Sequence, residues 1–183
     1  ETQTRLPEGV RYHLSGDARD FDGDGDLDLL LCASSNSTNS LSSALLLNDG
    51  SGVFTESGAG TFPTQMESRE LVCQQAQVVD ADGDGDPDVI ASLRGGPVEQ
   101  IPSQNRDRVL INNGAGRFTM MPVEAMPPRV LTPQMDMMAY ATGDFDGDGL
   151  DDVMASGSLP GYEDRPAVQF FRSLGNGRFE DRS

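Results

Sequence analysis

The stretch Asp20-Phe-Asp22-Gly-Asp24-Gly25-Asp26-Leu-Asp28 places an aspartate at every odd position of a nine-residue segment. The pattern returns as Asp80-Ala-Asp82-Gly-Asp84-Gly85-Asp86-Pro-Asp88 and as Asp144-Phe-Asp146-Gly-Asp148-Gly149-Leu150-Asp-Asp152. A buried core does not tolerate so many carboxylates, and a solvated loop does not need them at fixed spacing. Carboxylates at alternate positions around a glycine turn are how a short loop wraps a hard cation. The three copies therefore predict three calcium loops.

The predicted ligands are the side chains at positions 1, 3, 5 and 9 of each loop and the backbone carbonyl at position 7. Position 7 is Asp26, Asp86 or Leu150, so only its carbonyl is common to all three loops. Calcium is favoured over magnesium because it accepts irregular oxygen geometry at about 2.3–2.6 Å. Crowded carboxylates repel one another, so we expect the empty loops to be poorly ordered and calcium binding to contribute to folding. The full set of predicted metal residues is Asp20, Asp22, Asp24, Asp26, Asp28, Asp80, Asp82, Asp84, Asp86, Asp88, Asp144, Asp146, Asp148, Leu150 and Asp152.

The residues that follow each loop exclude an EF-hand. An EF-hand needs a bidentate glutamate at position 12 and then a helix, whereas position 12 here is Leu31, Ala91 or Ala155. Short apolar runs of strand length follow every loop, for example Leu29-Leu-Leu-Cys32. Such runs, bounded by turn residues, indicate strands. Each acidic loop is therefore predicted to join two strands.

A second repeated motif predicts a hairpin turn downstream of each loop. It reads Leu47-Asn48-Asp-Gly50-Ser-Gly52-Val-Phe54, Ile111-Asn112-Asn-Gly114-Ala-Gly116-Arg-Phe118 and Ser173-Leu-Gly175-Asn-Gly177-Arg-Phe179. Glycine-rich turns between apolar runs are typical of hairpins. Each repeat then holds four strands, predicted at 11–18, 27–33, 43–48 and 53–57, at 71–79, 87–93, 107–112 and 117–121, and at 136–143, 151–156, 167–172 and 178–181.

The spacing of the repeats predicts an all-β chain built from β-propeller blades. The loops recur after 60 and then 64 residues, and four antiparallel strands at such a period are typical of propeller blades. We predict one propeller unit over residues 1–183, with blades at 10–57, 70–122 and 134–182. The polar stretch 34–43 is predicted to be a solvated loop, and the proline-rich stretch 122–133 the connection between the second and third blades.

On these motifs the chain resembles the FG-GAP/VCBS repeat family, the calcium-loop blades of integrin α-subunit propellers and of many bacterial secreted proteins. The third copy, Gly143-Asp-Phe-Asp-Gly-Asp-Gly-Leu-Asp-Asp-Val153, is the nearest to the family pattern. The Asn-x-Gly-x-Gly-x-Phe hairpin favours the VCBS side, and the Gly-Ala-Pro element of integrin repeats is not evident. The resemblance implies that Asp20, Asp22, Asp24 and Asp28, with their equivalents, are the side-chain ligands.

Three blades are fewer than the ~4–8 blades of closed propellers. Three arrangements are open: two chains forming one six-bladed ring, a piece of a longer propeller, or a subunit of a larger assembly. Three blades alone would leave apolar residues exposed on the outer faces of the first and last blades, and such patches mark interfaces. The first residue is Glu1 rather than methionine, which indicates a processed or excised chain.

The charge of the chain excludes several classes of partner. The net charge is −17, and 15 of the 30 acidic residues lie inside the three loops, so half of the acidity belongs to the predicted ligands. The remaining negative charge argues against binding to nucleic acid or to an anionic membrane. We expect no membrane insertion, because no apolar stretch approaches the length of a spanning helix. Calcium loops of low affinity suit the calcium-rich extracellular space, so we expect a secreted or cell-surface protein.

Cys32 and Cys73 fall on predicted strands of adjacent blades. They would form a disulfide if the blades bring them together, or remain two buried thiols, and the sequence leaves both open. His13 is the single histidine and is assigned a packing or surface role. No Ser-His-Asp arrangement can be built from the spacing. We therefore predict no catalytic residues and no enzyme activity.

The function favoured by the sequence is that of an extracellular, calcium-stabilised propeller module for adhesion or protein assembly. Its partner would be another protein or a second copy of the chain, bound through loops and open blade faces. One alternative is a glycan-binding propeller, although the chain has no tryptophan and only three tyrosines for stacking on sugars. The other is a non-catalytic part of a larger secreted enzyme.

Overall fold

The computed structural model describes residues 5–7, 13–33, 43–67, 71–95, 107–129, 139–159 and 162–183. These residues form twelve strands in three four-stranded antiparallel sheets, so the all-β prediction is confirmed. In spatial order, the first sheet contains β1 (His13–Arg19), β2 (Asp28–Ala33), β3 (Ala44–Asn48) and β4 (Phe54–Glu56). The second contains β5 (Leu71–Val79), β6 (Asp88–Gly95), β7 (Asp107–Asn112) and β8 (Phe118–Met120). The third contains β9 (Ala139–Gly143), β10 (Asp152–Leu159), β11 (Tyr162–Ser173) and β12 (Phe179–Asp181).

Each acidic loop joins the first and second strands of its sheet in the same register. The residue before position 1 pairs with the aspartate at position 9, as Arg19 with Asp28, Val79 with Asp88 and Gly143 with Asp152. The glycine-rich turn joins the third strand to the fourth in every sheet. The repeated sequence therefore builds a repeated local structure, with loop and turn at equivalent places.

Consecutive sheets stack face to face and share their apolar cores. One buried cluster combines Phe21, Leu30 and Leu45 of the first sheet with residues of the second, among them Val89 and Phe118. The second cluster combines residues of the second sheet, such as Ile90 and Val109, with Val153, Phe171 and Phe179 of the third. The first strands β1, β5 and β9 are neighbours in that order. The chain is thus a series of three packed sheets.

A disulfide crosses the first of these interfaces. Cys32 of β2 is bonded to Cys73 of β5, and their Cα atoms lie 5.0 Å apart. Both residues are buried within the shared core of the first two sheets. Of the two alternatives that the sequence leaves open, the structure shows the disulfide.

The predicted strand ends in the third sheet were wrong. β10 continues to Leu159 and β11 begins at Tyr162, whereas the predicted strands ended at 156 and began at 167. Glycine and proline are disfavoured inside strands, yet Gly157 lies within β10, where it pairs with Ala167, and Pro166 lies within β11. Elsewhere in the described residues the predicted strands agree within two residues. Two short helical turns, α1 (Thr64–Glu67) and a 3₁₀ helix (Val123–Ala125), lie in connections between sheets.

Some sequence predictions fall outside the described residues. These are the starts of two strands at 11–12 and 136–138, almost all of the polar stretch 34–43, and residues 130–133 of the proline-rich connection.

Candidate metal centres

The structure brings three aspartates of each loop together, those at positions 1, 3 and 9. One carboxylate oxygen from each lies within 4.8 Å of the others in its group. The groups are Asp20, Asp22 and Asp28; Asp80, Asp82 and Asp88; and Asp144, Asp146 and Asp152. Nine of the predicted metal residues are therefore gathered into three sites of the kind that could hold a cation.

The aspartate at position 1 organises the backbone of its loop. In the first loop, Oδ1 of Asp20 accepts the N–H of Gly23 at 2.8 Å and Oδ2 accepts the N–H of Gly25 at 2.9 Å. The equivalent hydrogen bonds recur around Asp80 and Asp144 at 2.7–3.1 Å. The loop can fold around its own carboxylate because the glycines at positions 4 and 6 adopt positive φ in all three copies.

The aspartate at position 9 is fully buried and ties the loop to the hairpin turn. Asp28, Asp88 and Asp152 are each 0 % exposed. One oxygen of Asp88 accepts the N–H of Ala81 in the loop at 2.9 Å, and the other accepts the N–H of Asn112 at the turn at 2.7 Å. Asp28 and Asp152 make the same pair of bonds, at 2.8–3.2 Å. In each sheet, the aspartate at position 9 thus connects its own strand to the acidic loop and to the hairpin turn.

The electrostatics of the sites favour a bound cation. Burial raises the pKa of Asp88 to about 7, although its backbone hydrogen bonds favour the charged form. Burial, followed by repulsion from neighbouring aspartates, also raises the pKa of Asp22 and Asp82. Desolvated carboxylates that repel each other need a counter-charge. A cation held by these carboxylate oxygens would supply that charge.

The side chains at positions 5 and 7 lie outside the three groups. At position 5, Asp24 and Asp84 each accept the N–H of the position-7 residue at 2.9 Å. At position 7, the side chain of Asp26 lies against the hairpin turn at Gly50. The contact is so close that a Cβ added to Gly50 would lie 2.5 Å from Oδ2 of Asp26. The side chain of Asp86 lies equally close to Gly114 in the second hairpin turn. The position-7 side chains of the first two loops are therefore directed at the hairpin turn, and the position-7 carbonyl stays the predicted ligand.

The third loop differs because an arginine lies on it. Nε of Arg172 is 2.5 Å from Asp146, and Nη2 is 2.6 Å from Asp148. Hydrogen bonding to Arg172 lowers the pKa of Asp146, opposite to the shift at Asp22 and Asp82. Arg172 was not among the predicted site residues. Aligning the three repeats would have pointed to Arg172, because the equivalent residues, Leu47 and Ile111, are apolar.

In the first two loops, the hairpin turn of the next sheet docks at position 2. The carbonyl of Phe21 accepts the N–H of Gly116 at 2.8 Å, and that of Ala81 accepts the N–H of Gly177 at 3.0 Å. Phe21 and Ala81 are fully buried. The third equivalent, Phe145, is 50 % exposed and packs edge-on against Phe170 of its own sheet. Sequence reasoning missed this contact, although the hairpin glycines that make it belong to a recognised repeat.

A buried polar network fixes the connection between the second and third sheets. Nε of Arg129 donates to Asp107 at 2.7 Å, and Nη2 donates to Ser92 at 2.8 Å. The hydroxyl of Tyr140 donates to Asp107 at 2.8 Å. Arg129 and Asp107 are both about 3 % exposed. The network joins β6, β7 and β9 to the connecting segment.

Comparison with known proteins identifies the repeat. The profile of the FG-GAP-like repeat matches residues 20–91 and 80–155. Each match starts at the first aspartate of one acidic loop and extends past the last aspartate of the next. A comparison with curated proteins gave no match. Within the described residues, no helix combines the length and apolar character needed to cross a membrane.

Proposed function

The chain belongs to the FG-GAP-like repeat family, and on that premise we propose that it is an extracellular, calcium-stabilised β-propeller module for protein assembly or adhesion. The observation that carries this proposal is the aspartate trio that recurs with the same hydrogen bonds in all three loops. Its role would be binding rather than catalysis. Calcium would be structural, and the protein partner would bind at an open sheet face.

The donor set of the sites fits calcium. Every side chain in the three groups is an aspartate, and hard oxygen ligands of this kind suit calcium better than a soft metal. The carbonyl at position 7 would add a neutral oxygen, as the sequence predicts. A bound ion would offset the charge of the buried aspartate at position 9, which already connects the loop to the hairpin turn. Calcium would therefore stabilise each sheet and its contact with the next.

The packing of the sheets supports a propeller arrangement. The first strands β1, β5 and β9 run side by side, as the inner strands of successive blades do around an axis. The hairpin turns of the second and third sheets each donate a glycine N–H to the loop of the preceding sheet. The same contact, repeated at a constant rotation, generates a ring of blades. Residues 10–57, 70–122 and 134–182 would be three blades of that ring.

The outer face of the third sheet is the proposed assembly surface. Met154 is 37 % exposed, whereas its equivalents Leu30 and Ile90 are buried by the following sheet. Phe145 and Val168 on the same sheet are about 50 % exposed. Exposed apolar patches of this kind mark interfaces. The partner that fits best is another blade with a Gly-x-Phe hairpin, and the hairpin Gly52-Val-Phe54 of a second copy has this sequence.

The disulfide supports the proposed location. Disulfides persist in oxidising environments such as the extracellular space and are rare in the cytosol. The bond between Cys32 and Cys73 joins two blades rather than two parts of one blade. It would hold the first interface together whether or not calcium is bound.

Thermal unfolding in calcium and in chelator tests the proposed role of the ion. We expect calcium to raise the melting temperature of the wild type. Asp82→Ala should lose much of that gain while melting close to the wild type in chelator, and Asp22→Ala should behave alike. Glu56→Ala is the matched control, because it removes one exposed carboxylate outside the three groups. Equal melting of the wild type with and without calcium would refute the proposal.

Sedimentation velocity in calcium tests the assembly surface. We expect Phe145→Ser to weaken the association of the wild type with a second copy or with another blade protein. Asp22→Ala, tested under the same conditions, is the control: it removes a predicted calcium ligand of the first loop and leaves the outer face of the third sheet unchanged. If the wild type stays monomeric at high protein concentration, self-association is refuted and a different partner must supply the next blade.

A further inference from the structure

Arg172 occupies a place in the third sheet where the other two sheets carry apolar residues. The pairing between second and third strands sets this equivalence: Leu46, Leu110 and Phe171 each face the residue that follows position 9 of their loop. The next residues along the chain are therefore Leu47, Ile111 and Arg172. Leu47 and Ile111 pack against the two apolar clusters between sheets. Only the third loop thus has a cation at this place among the described residues.

The guanidinium contacts two of the carboxylates that were predicted to bind the ion. Its Nε pairs with Oδ2 of Asp146 at 2.5 Å, and its Nη2 pairs with Oδ2 of Asp148 at 2.6 Å. All three side chains are about one-third exposed, so water does not fully screen the pairs. Nη1 lies 3.7 Å from Glu180, so a third carboxylate is close to the guanidinium. One fixed positive charge is therefore held against positions 3 and 5.

We propose that Arg172 is a built-in cation of the third loop, which keeps this loop closed without calcium and weakens its calcium binding relative to the first two loops. The inference rests on the calcium function proposed above. Calcium must displace the guanidinium from Asp146 before it can use the paired oxygen. The three loops are then unequal: two depend on calcium for their order and one does not.

Calcium titration of the metal-free protein, followed by calorimetry and native mass spectrometry, tests the inference. We expect two ions to bind the wild type, with a third binding roughly tenfold more weakly or not at all, since a charge-assisted hydrogen bond must break first. Arg172→Leu, which restores the residue of the first sheet, should bring the third site to the affinity of the others. Arg172→Gln removes the charge without adding apolar surface and should act in the same direction.

Arg182→Leu is the matched control. Arg182 is exposed and pairs with Glu180 at 2.6 Å rather than with an aspartate of the third loop. Its replacement by leucine therefore removes the same charge without touching that loop. We expect this variant to keep two strong sites. Three equal sites in the wild type, or an unchanged third site in both Arg172 variants, would overturn the inference while leaving the calcium function intact. Absence of binding at every loop would overturn both.

Hydrogen exchange in chelator gives an independent readout. The amides of Gly147 and Gly149 in the wild type should exchange more slowly than those of Gly83 and Gly85, because Arg172 holds the third loop closed. In Arg172→Gln this difference should disappear. Equal exchange of the three loops in metal-free wild type would contradict the inference.

Discussion

Asp88→Asn tests the double role of the buried aspartate at position 9. Asp88 is fully buried, and its two oxygens accept the N–H groups of Ala81 and Asn112 at 2.9 and 2.7 Å. The asparagine amide has nearly the same shape but only one oxygen, so its NH₂ must face one of these donors. A buried N–H without an acceptor costs about 1–3 kcal/mol. For a chain of this size, a loss of about 2 kcal/mol lowers the melting temperature by roughly 4–8 °C.

The variant should lose this stability in calcium, where the ion offsets the charge of Asp88. In chelator the loss should be smaller, because the neutral amide also avoids burying an uncompensated charge. Asp82→Asn provides the contrast. Asp82 lies at position 3 and accepts one loop N–H, that of Asp84, at 3.2 Å, so its loss should matter mainly in calcium. The melting temperatures of both variants and the wild type are measured by scanning calorimetry at pH 8. This pH lies above the raised pKa of Asp88, so the wild-type side chain is ionised. If Asp88→Asn melts no lower than Asp82→Asn in calcium, the structural role assigned to position 9 is wrong.

Three further predictions concern the packing and the charges of the sheets. Replacing Cys32 and Cys73 by serine should lower the unfolding free energy by about 2–4 kcal/mol in urea titration; no change after this replacement would contradict the stabilising role of the disulfide. Arg129→Met should lower the unfolding free energy by about 3–5 kcal/mol, because Asp107 stays buried and charged without its partner. In the same urea titration, the double variant Arg129→Met/Asp107→Asn should recover part of this loss. If the effects of the two single substitutions simply add, the pairing of Arg129 with Asp107 is contradicted. In chelator, burial raises the pKa of Asp88 above its value in the unfolded chain, so the stability present at low pH should fall as pH rises from about 3.8 to about 7 and then level off. Calcium should suppress that fall, and a pH-independent melting temperature in chelator would count against it.

The loops and turns could be predicted from the sequence because their geometry depends on local spacing. A loop that folds around Asp20 needs glycine at fixed positions, and both appear in the sequence as a pattern. The strands on either side follow from short apolar runs. The structure groups positions 1, 3 and 9 because Asp28 begins the next strand, where it pairs with the residue before the loop. The ligand role of the predicted residues, position 5 included, stays a prediction.

Other features depend on contacts between distant residues and left little local signal. Arg129 reaches Asp107 and Ser92 from a connecting segment, and only the folded chain shows that these side chains are buried together. The long hairpin of β10 and β11 contains Gly157 and Pro166, which locally favour a break, so pairing with the partner strand overrides their preference. The pairing of Arg172 with the third loop was accessible only through comparison of the repeats with one another.

The most direct test of the account is the number of calcium ions that the chain carries. Native mass spectrometry of the protein in millimolar calcium counts ions on each chain while the fold is intact. We predict two firmly bound ions, with a third added at higher calcium concentration. A chain that carries no calcium across this range would contradict the assignment of the acidic loops as metal sites.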